Sequence, residues 1–269
     1  MNLIRLCGVF LALSLGSGFA TAADDGVVVK ELAPTGKLRV GVAFAPAATP
    51  LFVAKDAAGQ PHGVTVDLGT ALARALGVPL DLFVAPNTGE LTDAASSGAI
   101  DVTFMPVDDE RSKRVDFGPA YFIIESTYLV PGSSDIKTFA DVDRTGVTIV
   151  GVANSTTIRS AGRILKNAKV EAAKSIDEAM AMLKAGSVQA LALTHDALPP
   201  LQKALPGSRI LDGAFQTTGV AVAVQKNHPA ALAFVTTFVE KAKADGTVRR
   251  AFDNAGLNDQ PVAPPAPPR

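Results

Sequence analysis

The residues best suited to chemistry stand close together in "DVTFMPVDDERSKRVDFGPAY", residues 101–121. Four acids and three bases fall between Asp108 and Asp116, directly after a run apolar enough to be a buried strand. Arg111 is the first candidate. A guanidinium is always charged, and its planar fork matches a carboxylate with two parallel hydrogen bonds. The same spacing also suits a surface arginine paired with Asp108, Asp109 or Glu110. Asp108 has the type and position of a helix N-cap. As an acid it could also meet a cationic ligand group or simply neutralise Arg111. A second cluster, "NSTT" at 154–157, precedes a helix. Asn154, Ser155, Thr156 and Thr157 can offer hydroxyls and free amides to an anion there, or merely cap the helix. Asp196, beside His195, is either a ligand contact or the cap of the helix that follows.

Composition narrows the choices. The chain has 269 residues, a net charge of −1 and 48% hydrophobic residues. It carries no basic block for nucleic acid. Trp is absent and Tyr occurs twice, so an aromatic stacking platform is not expected. The single cysteine, Cys7, lies in an early apolar run, and none of His62, His195 and His228 is spaced as a zinc pair on a helix. No nucleophile–base motif and no glycine-rich phosphate loop stands out, so neither cofactor nor metal is expected. Arg5, the apolar run Leu6–Leu15 and Ala20-Thr21-Ala22 have the pattern of a cleavable signal peptide over residues 1–22. The run is shorter than the roughly 20 residues a membrane span needs. At the other end, residues 258–269, ending "PVAPPAPPR", are expected to form a disordered tail.

The remainder must position the candidate residues. Strand patterns at 38–43, "LDLFVA" from 80 and 101–105 alternate with helical patterns at 65–77 and 90–98. A second unit follows, with strands at 147–152, 169–173 and 189–193, a helix from the "NSTT" cluster to about Lys166, and another at 175–186. The strand "GVAVAV", a long helix opened by Pro229 and a short final helix close the chain. Alternating strands and helices imply mostly parallel sheets. Two such units with a late return of chain imply two α/β lobes and a cleft. Sites in such sheets lie beyond the carboxyl ends of the strands, which places the loop after Ala43 and the segments 106–111, 153–157 and 194–196 together.

Three stretches resemble a known family. "GVTVDLGTALARALG" (63–77), "SGAIDVTFMPVDDERSKRVDFGPAY" (97–121) and "GVAVAVQKNHPA" (219–230) are similar to the corresponding stretches of extracellular solute-binding proteins of the polar-amino-acid type. The resemblance runs from Lys37 to about Leu257. It implies a type II periplasmic binding protein of the Venus-flytrap kind, with a first lobe at 37–128 and 222–257 and a second at 129–221. "TYLV" (127–130) and "TTGV" (217–220) would be the two hinges. Such proteins capture a small ligand as monomers in the periplasm and deliver it to an ABC transporter permease in the inner membrane.

By this resemblance Arg111 would hold a ligand carboxylate together with the 154–157 loop, and Asp196 would accept an α-ammonium group. The chain departs from the family in having Asp108 where a threonine is usual. It also lacks the acid often found after the first strand, where Phe44 and Phe52 could form an apolar wall. The ligand is therefore expected to be a small carboxylate, an amino acid or a related organic acid. Two other readings stay open. One is a secreted enzyme of the cyclohexadienyl dehydratase kind, using Glu125 or Asp108. The other is a sensor that reports ligand to a receptor.

Overall fold

The computed structural model describes residues 21–44 and 49–267. The expected signal peptide lies outside these residues except for Thr21 and Ala22, which open the first helix.

In chain order the elements are α1 (Thr21–Leu32), β1 (Leu38–Ala43), β2 (Ala54–Lys55), β3 (Pro61–His62), α2 (Val64–Leu76), β4 (Leu80–Ala85), α3 (Thr88–Ser96), β5 (Val102–Pro106), α4 (Asp109–Ser112) and β6 (Val115–Val130). They continue with α5 (Phe139–Val142), β7 (Thr148–Val152), α6 (Thr156–Ile164), β8 (Lys169–Ala173), α7 (Ile176–Lys184), β9 (Ala190–Thr194) and a 3-10 turn (His195–Ala197). Then come α8 (Leu198–Ala204), β10 (Arg209–Ile210), β11 (Gln216–Gln225), α9 (Pro229–Ala244) and α10 (Thr247–Asn254).

One sheet runs β4-β1-β5-β11-β6-β9-β7-β8, with β10 beside β6. Within each half the neighbouring pairs β1–β4, β1–β5, β7–β8 and β7–β9 are parallel, and the two long strands β6 and β11 run antiparallel between them. This is the expected two-lobed α/β architecture. Apolar side chains from both faces of the first half pack under α2, α9 and α10 on one side and α3 on the other, with Leu72, Phe104 and Phe252 fully buried. The second half buries separate clusters around Leu191 and Leu193 and around Tyr128 and Ile149.

The division between the cores is written into the crossing strands. On β6, Phe122 and Ile124 belong to the first core and Tyr128 to the second. Between them lie Glu125, exposed, and the buried polar residues Ser126 and Thr127. On β11 the polar run Gln216–Thr218 pairs with Ser126–Ile124. A strand segment with no core on it loses little packing when it bends.

Three features differ from expectation. The segment "DFGPAY", to which the sequence pattern assigned no element, opens the 16-residue β6. Pro119 can sit in it because the ladder with β11 is irregular there, with register shifts between Val220 and Ala221 and between Ala221 and Ala223. A proline has no amide to donate and is tolerated in a strand at such bulges. Helix α1, for which no strong pattern announced itself, lies against α9, where its Glu31 accepts the amide of Ala231 at 2.8 Å. An acid suits the positive end of that helix.

The tail is the third feature and is corrected: residues 258–267 lie along the first lobe instead of forming a disordered segment. The Ala263 amide donates to Tyr121 O at 3.0 Å, Lys243 Nζ donates to Pro264 O at 2.9 Å, and Ala263 is 5% exposed. Prolines remove donors but leave carbonyls, and cations on α9 and α10 take them up.

Candidate functional site

The carboxyl ends of β1, β4, β7 and β8 line one cavity between the lobes, the end of β5 joins it through Arg111 and Asn154, and the end of β9 meets the first lobe through Asp196 and Thr49. From the first lobe come Phe44 after β1, Pro86 and Asn87 after β4, and Pro106 to Arg111 after β5. From the second come Ala153 to Thr157 after β7, Lys174 after β8, and His195 with Asp196 after β9. All eight residues singled out from the sequence lie at these strand ends.

Asp108 caps α4: its Oδ1 accepts the Arg111 amide at 2.9 Å. This short turn carries the Arg111 side chain inward, where it is 3% exposed. Its Nη1 donates to Pro106 O at 2.8 Å and its Nη2 to Thr88 Oγ1 at 2.7 Å. Nη2 also reaches Asn154 O in the other lobe at 3.3 Å. Burial pushes the Arg111 guanidinium down to about 10, against the pull of the Asp108 charge and helped by that of Arg159. It remains a cation at neutral pH. The neighbouring bases are different in kind: Lys113 pairs with Glu110 and Arg114 with Asp93 on the exposed surface.

Asp108 does more than cap. Its Oδ2 is 3.7 Å from Arg111 Nε and forms an ion pair with Arg159 Nη2 of α6. Burial works against the Asp108 charge, but the Arg111 amide, the Arg159 hydrogen bond and the charges of both arginines outweigh it. Its carboxyl is held below the ordinary range. The lobes therefore touch through a charge pair, through Arg111 and Asn154, and through Gly89, where a Cβ would come within 3.2 Å of the Asn154 Cβ.

In the second lobe Ser155 caps α6, accepting the Ile158 amide at 3.2 Å while donating to Val152 O at 2.8 Å. Asn154 takes the positive φ, 61°, that turns the chain into this helix; Asn is among the few residues that accept that conformation readily. Thr156 and Thr157 are buried. Thr157 is hydrogen bonded to Ser126 on the crossing strand at 3.1 Å, which ties it to the fold.

Asp196 does not cap α8. It lies half-buried inside the 3-10 turn after β9, and His195 is exposed. Burial pushes the Asp196 carboxyl up, against the opposing pull of Thr194, its own amide, His195 and Thr49. The hydroxyls of Thr49 and Thr194 sit near this carboxyl, buried and without a hydrogen-bond partner of ordinary geometry. Buried hydroxyls are nearly always paired, so this corner has unmet polar capacity.

A cavity of about 470 Å³ opens between the lobes beside Asn154, the residue whose carbonyl Arg111 reaches. Phe44, Pro86, Asn87, Val152, Ala153, Asn154, Lys174, Ser175 and Ile176 line it. Phe44 forms one wall, as expected, and Lys55 Nζ stands 5.4 Å from its ring centre. Phe52, the other aromatic considered, is 3% exposed within the first core and forms no wall. Thr88, Arg159 and Lys174 were missed in the sequence. Nothing in a single chain links Asp108 to a base 51 residues away, whereas Lys174, directly after a recognisable strand, could have been found by applying the strand-end rule there.

The chain belongs to the bacterial extracellular solute-binding proteins, family 3, whose model matches residues 39–255. It is similar to the glutamine-binding protein of Geobacillus stearothermophilus, 28% identical over 198 residues that cover 70% of this chain and 72% of that one. It is also similar to the ABC transporter glutamine-binding protein GlnH of Bacillus subtilis strain 168, at 24% identity over 91% of this chain and 92% of the other. Among solved structures, a mutant of ArgBP from T. maritima superposes with a TM-score of 0.71 at 26% identity, covering 85% of this chain and 99% of that one.

Proposed function

We propose that this protein captures an amino acid between its lobes and hands it to an ABC importer at the membrane. Arg111 and the N-terminus of α6, with Thr156, would take the α-carboxylate. Asp196, with Thr49 and Thr194, would take the α-ammonium group, and Phe44 would cover the ligand's apolar stem. The observation that carries this reading is the meeting of Arg111 with Asn154 across the lobes, beside a helix N-terminus. A ligand carboxylate there would exchange Asn154 O, the longest of the three Arg111 contacts, for a bidentate bond. The family, and the printed functions of the curated relatives, support the same reading.

We place the lobe boundaries at the polar segments 125–127 and 216–218, slightly before the hinges expected at 127–130 and 217–220, because Tyr128, Leu129 and Val130 already pack in the second lobe's cores, and the export route is that expected of an extracellular solute-binding protein. The acids that a dehydratase would need are poorly disposed for proton transfer. Glu125 is exposed on the crossing strand, and Asp108 is held as an anion by two arginines. The test is a thermal-shift screen of the purified chain against the common amino acids and small carboxylates. A true ligand at 100 times its Kd stabilises the folded state by about 2.7 kcal/mol. No shift with any amino acid would overturn the reading.

A further inference from the structure

The carboxylate and ammonium positions are common to all amino acids; the side chain must be read elsewhere. Two cavities share Asn87 and Asn154: the one lined by Arg111 itself also carries Glu90, Asp93 and Glu110 on the outer surface, whereas the one beside Phe44 reaches between the lobes and has a one-sided charge inventory. No carboxylate lines it, whereas Lys174 does. Lys55 stands at the Phe44 wall, on the exposed side. Neither lysine makes an ion pair among the described residues, although ion pairs are frequent elsewhere, from Lys113–Glu110 to Lys243–Glu240.

The nearest acids are committed to other partners. The Glu178 carboxylate accepts the Lys174 backbone amide at 2.6 Å, at the start of α7. Glu90 accepts from Asn87 Nδ2 at 2.9 Å, outside the cavity lining. Asn87 and Ser175 add neutral polar groups to the wall.

From this we infer, resting on the amino-acid reading above, that the site selects a ligand whose side chain ends in a hydrogen-bond-accepting oxygen. A carboxylate or a carboxamide qualifies, a cationic end does not, and Lys174 is the residue that reads the difference. A guanidinium or ammonium placed here would meet Lys174, with Lys55 at the Phe44 ring, and no carboxylate in the lining, so a cationic end meets like-charge repulsion that an accepting oxygen does not. This sets the chain apart from ArgBP, which has been solved in an arginine-bound form, despite the shared fold.

The experiment is calorimetric titration of the wild type, Lys174→Gln and Lys174→Glu with L-glutamine, L-glutamate and L-arginine, each variant checked by its melting temperature. Lys174 is exposed, so neither substitution threatens folding. The wild type should bind glutamine or glutamate at least about tenfold more tightly than arginine. Lys174→Glu should weaken glutamate about tenfold or more and narrow or reverse the preference over arginine, with Lys174→Gln between. Arginine as the tightest wild-type ligand, or a preference unchanged in Lys174→Glu, would overturn the inference while leaving the amino-acid reading intact. Binding of none of the three by the wild type would count against the amino-acid reading itself, and the inference would fall with it.

Discussion

The two ends of the cleft are built on opposite plans. Around Arg111 every charge has a partner: Asp108 meets both Arg111 and Arg159, and the guanidinium donates to Pro106, Thr88 and Asn154. Around Phe44 the two lysines have none, and the wall is otherwise apolar or neutral. The first end is rigid and buried, which suits a group that every ligand shares. The second is open and one-signed, which suits discrimination. On the proposed reading, binding energy and specificity fall to different residues, and each should be changeable without the other.

The largest effect should come from the rigid end. Arg111→Ala should weaken ligand by about 2–5 kcal/mol, because it leaves a buried charge partner unmatched. Arg114→Ala, three residues away on the exposed surface, should bind almost normally. Comparable losses in both, measured by calorimetry, would mean that the 108–116 segment is only a charged helix start. Arg111→Lys should recover part of the loss, since an ammonium cannot form the two-pronged bond.

Asp196→Asn comes next, with an expected loss of about 1–3 kcal/mol for removing the charge that receives the ammonium. It also carries a pH signature. Burial raises the Asp196 carboxyl in the empty cleft, so the folded state holds its proton longer than the unfolded chain does. Empty-protein stability from this group therefore falls as pH rises through the window that starts near the ordinary value of about 4. Amino-acid affinity should move the other way, rising through the same window as Asp196 ionises, and Asp196→Asn should flatten that rise. Asp108 has the opposite sign: its lowered pKa gives stability that is present above the ordinary carboxylate range and is lost as pH falls through its folded value. An affinity profile that does not rise with pH above the ordinary carboxylate range, or that rises equally in Asp196→Asn, would remove Asp196 from the site.

Smaller effects concern the junction itself. Asp108→Ala should cost more than the about 1 kcal/mol of a lost cap, because it also leaves buried Arg111 without its counter-charge, and Asp108→Asn should restore only the cap's share. Arg159→Gln should cost less than about 1 kcal/mol, because Arg159 is partly exposed and its pair is screened. Its signature is conformational: without the cross-lobe pair the ligand-free protein should be more expanded in small-angle scattering than the wild type. Unchanged profiles would show that the ion pair does not help hold the lobes together.

Much of this was legible in the sequence, for physical reasons that differ by residue. Asp108 as cap followed from a local rule, since a capping acid acts on an amide three residues away, whereas Arg111 as the inward charge rested on the family resemblance, because its spacing equally suits a surface arginine. The lobes followed from strand–helix alternation, which is also local. The 16-residue β6 was hidden because its proline and glycine read as punctuation, and only pairing with β11, about a hundred residues later, absorbs the bulge. Helix α1 and the tail were hidden because both depend on docking partners, Ala231 for one and Tyr121, Lys243 and Glu240 for the other. Arg159 was missed for the same reason. Asp196 was legible as a candidate, but its choice between cap and cleft was not, because a 3-10 turn before α8 decides it.

The central claim is that the rigid end anchors what all ligands share. The most direct test is titration of the wild type with L-glutamine and with the same molecule carrying its α-carboxylate as a primary amide. The account predicts that blocking the carboxylate lowers affinity at least about a hundredfold, the size of effect expected when a buried charged group loses its partner, while both molecules keep the same side chain for the Phe44 cavity. Equal affinities for the two would contradict it.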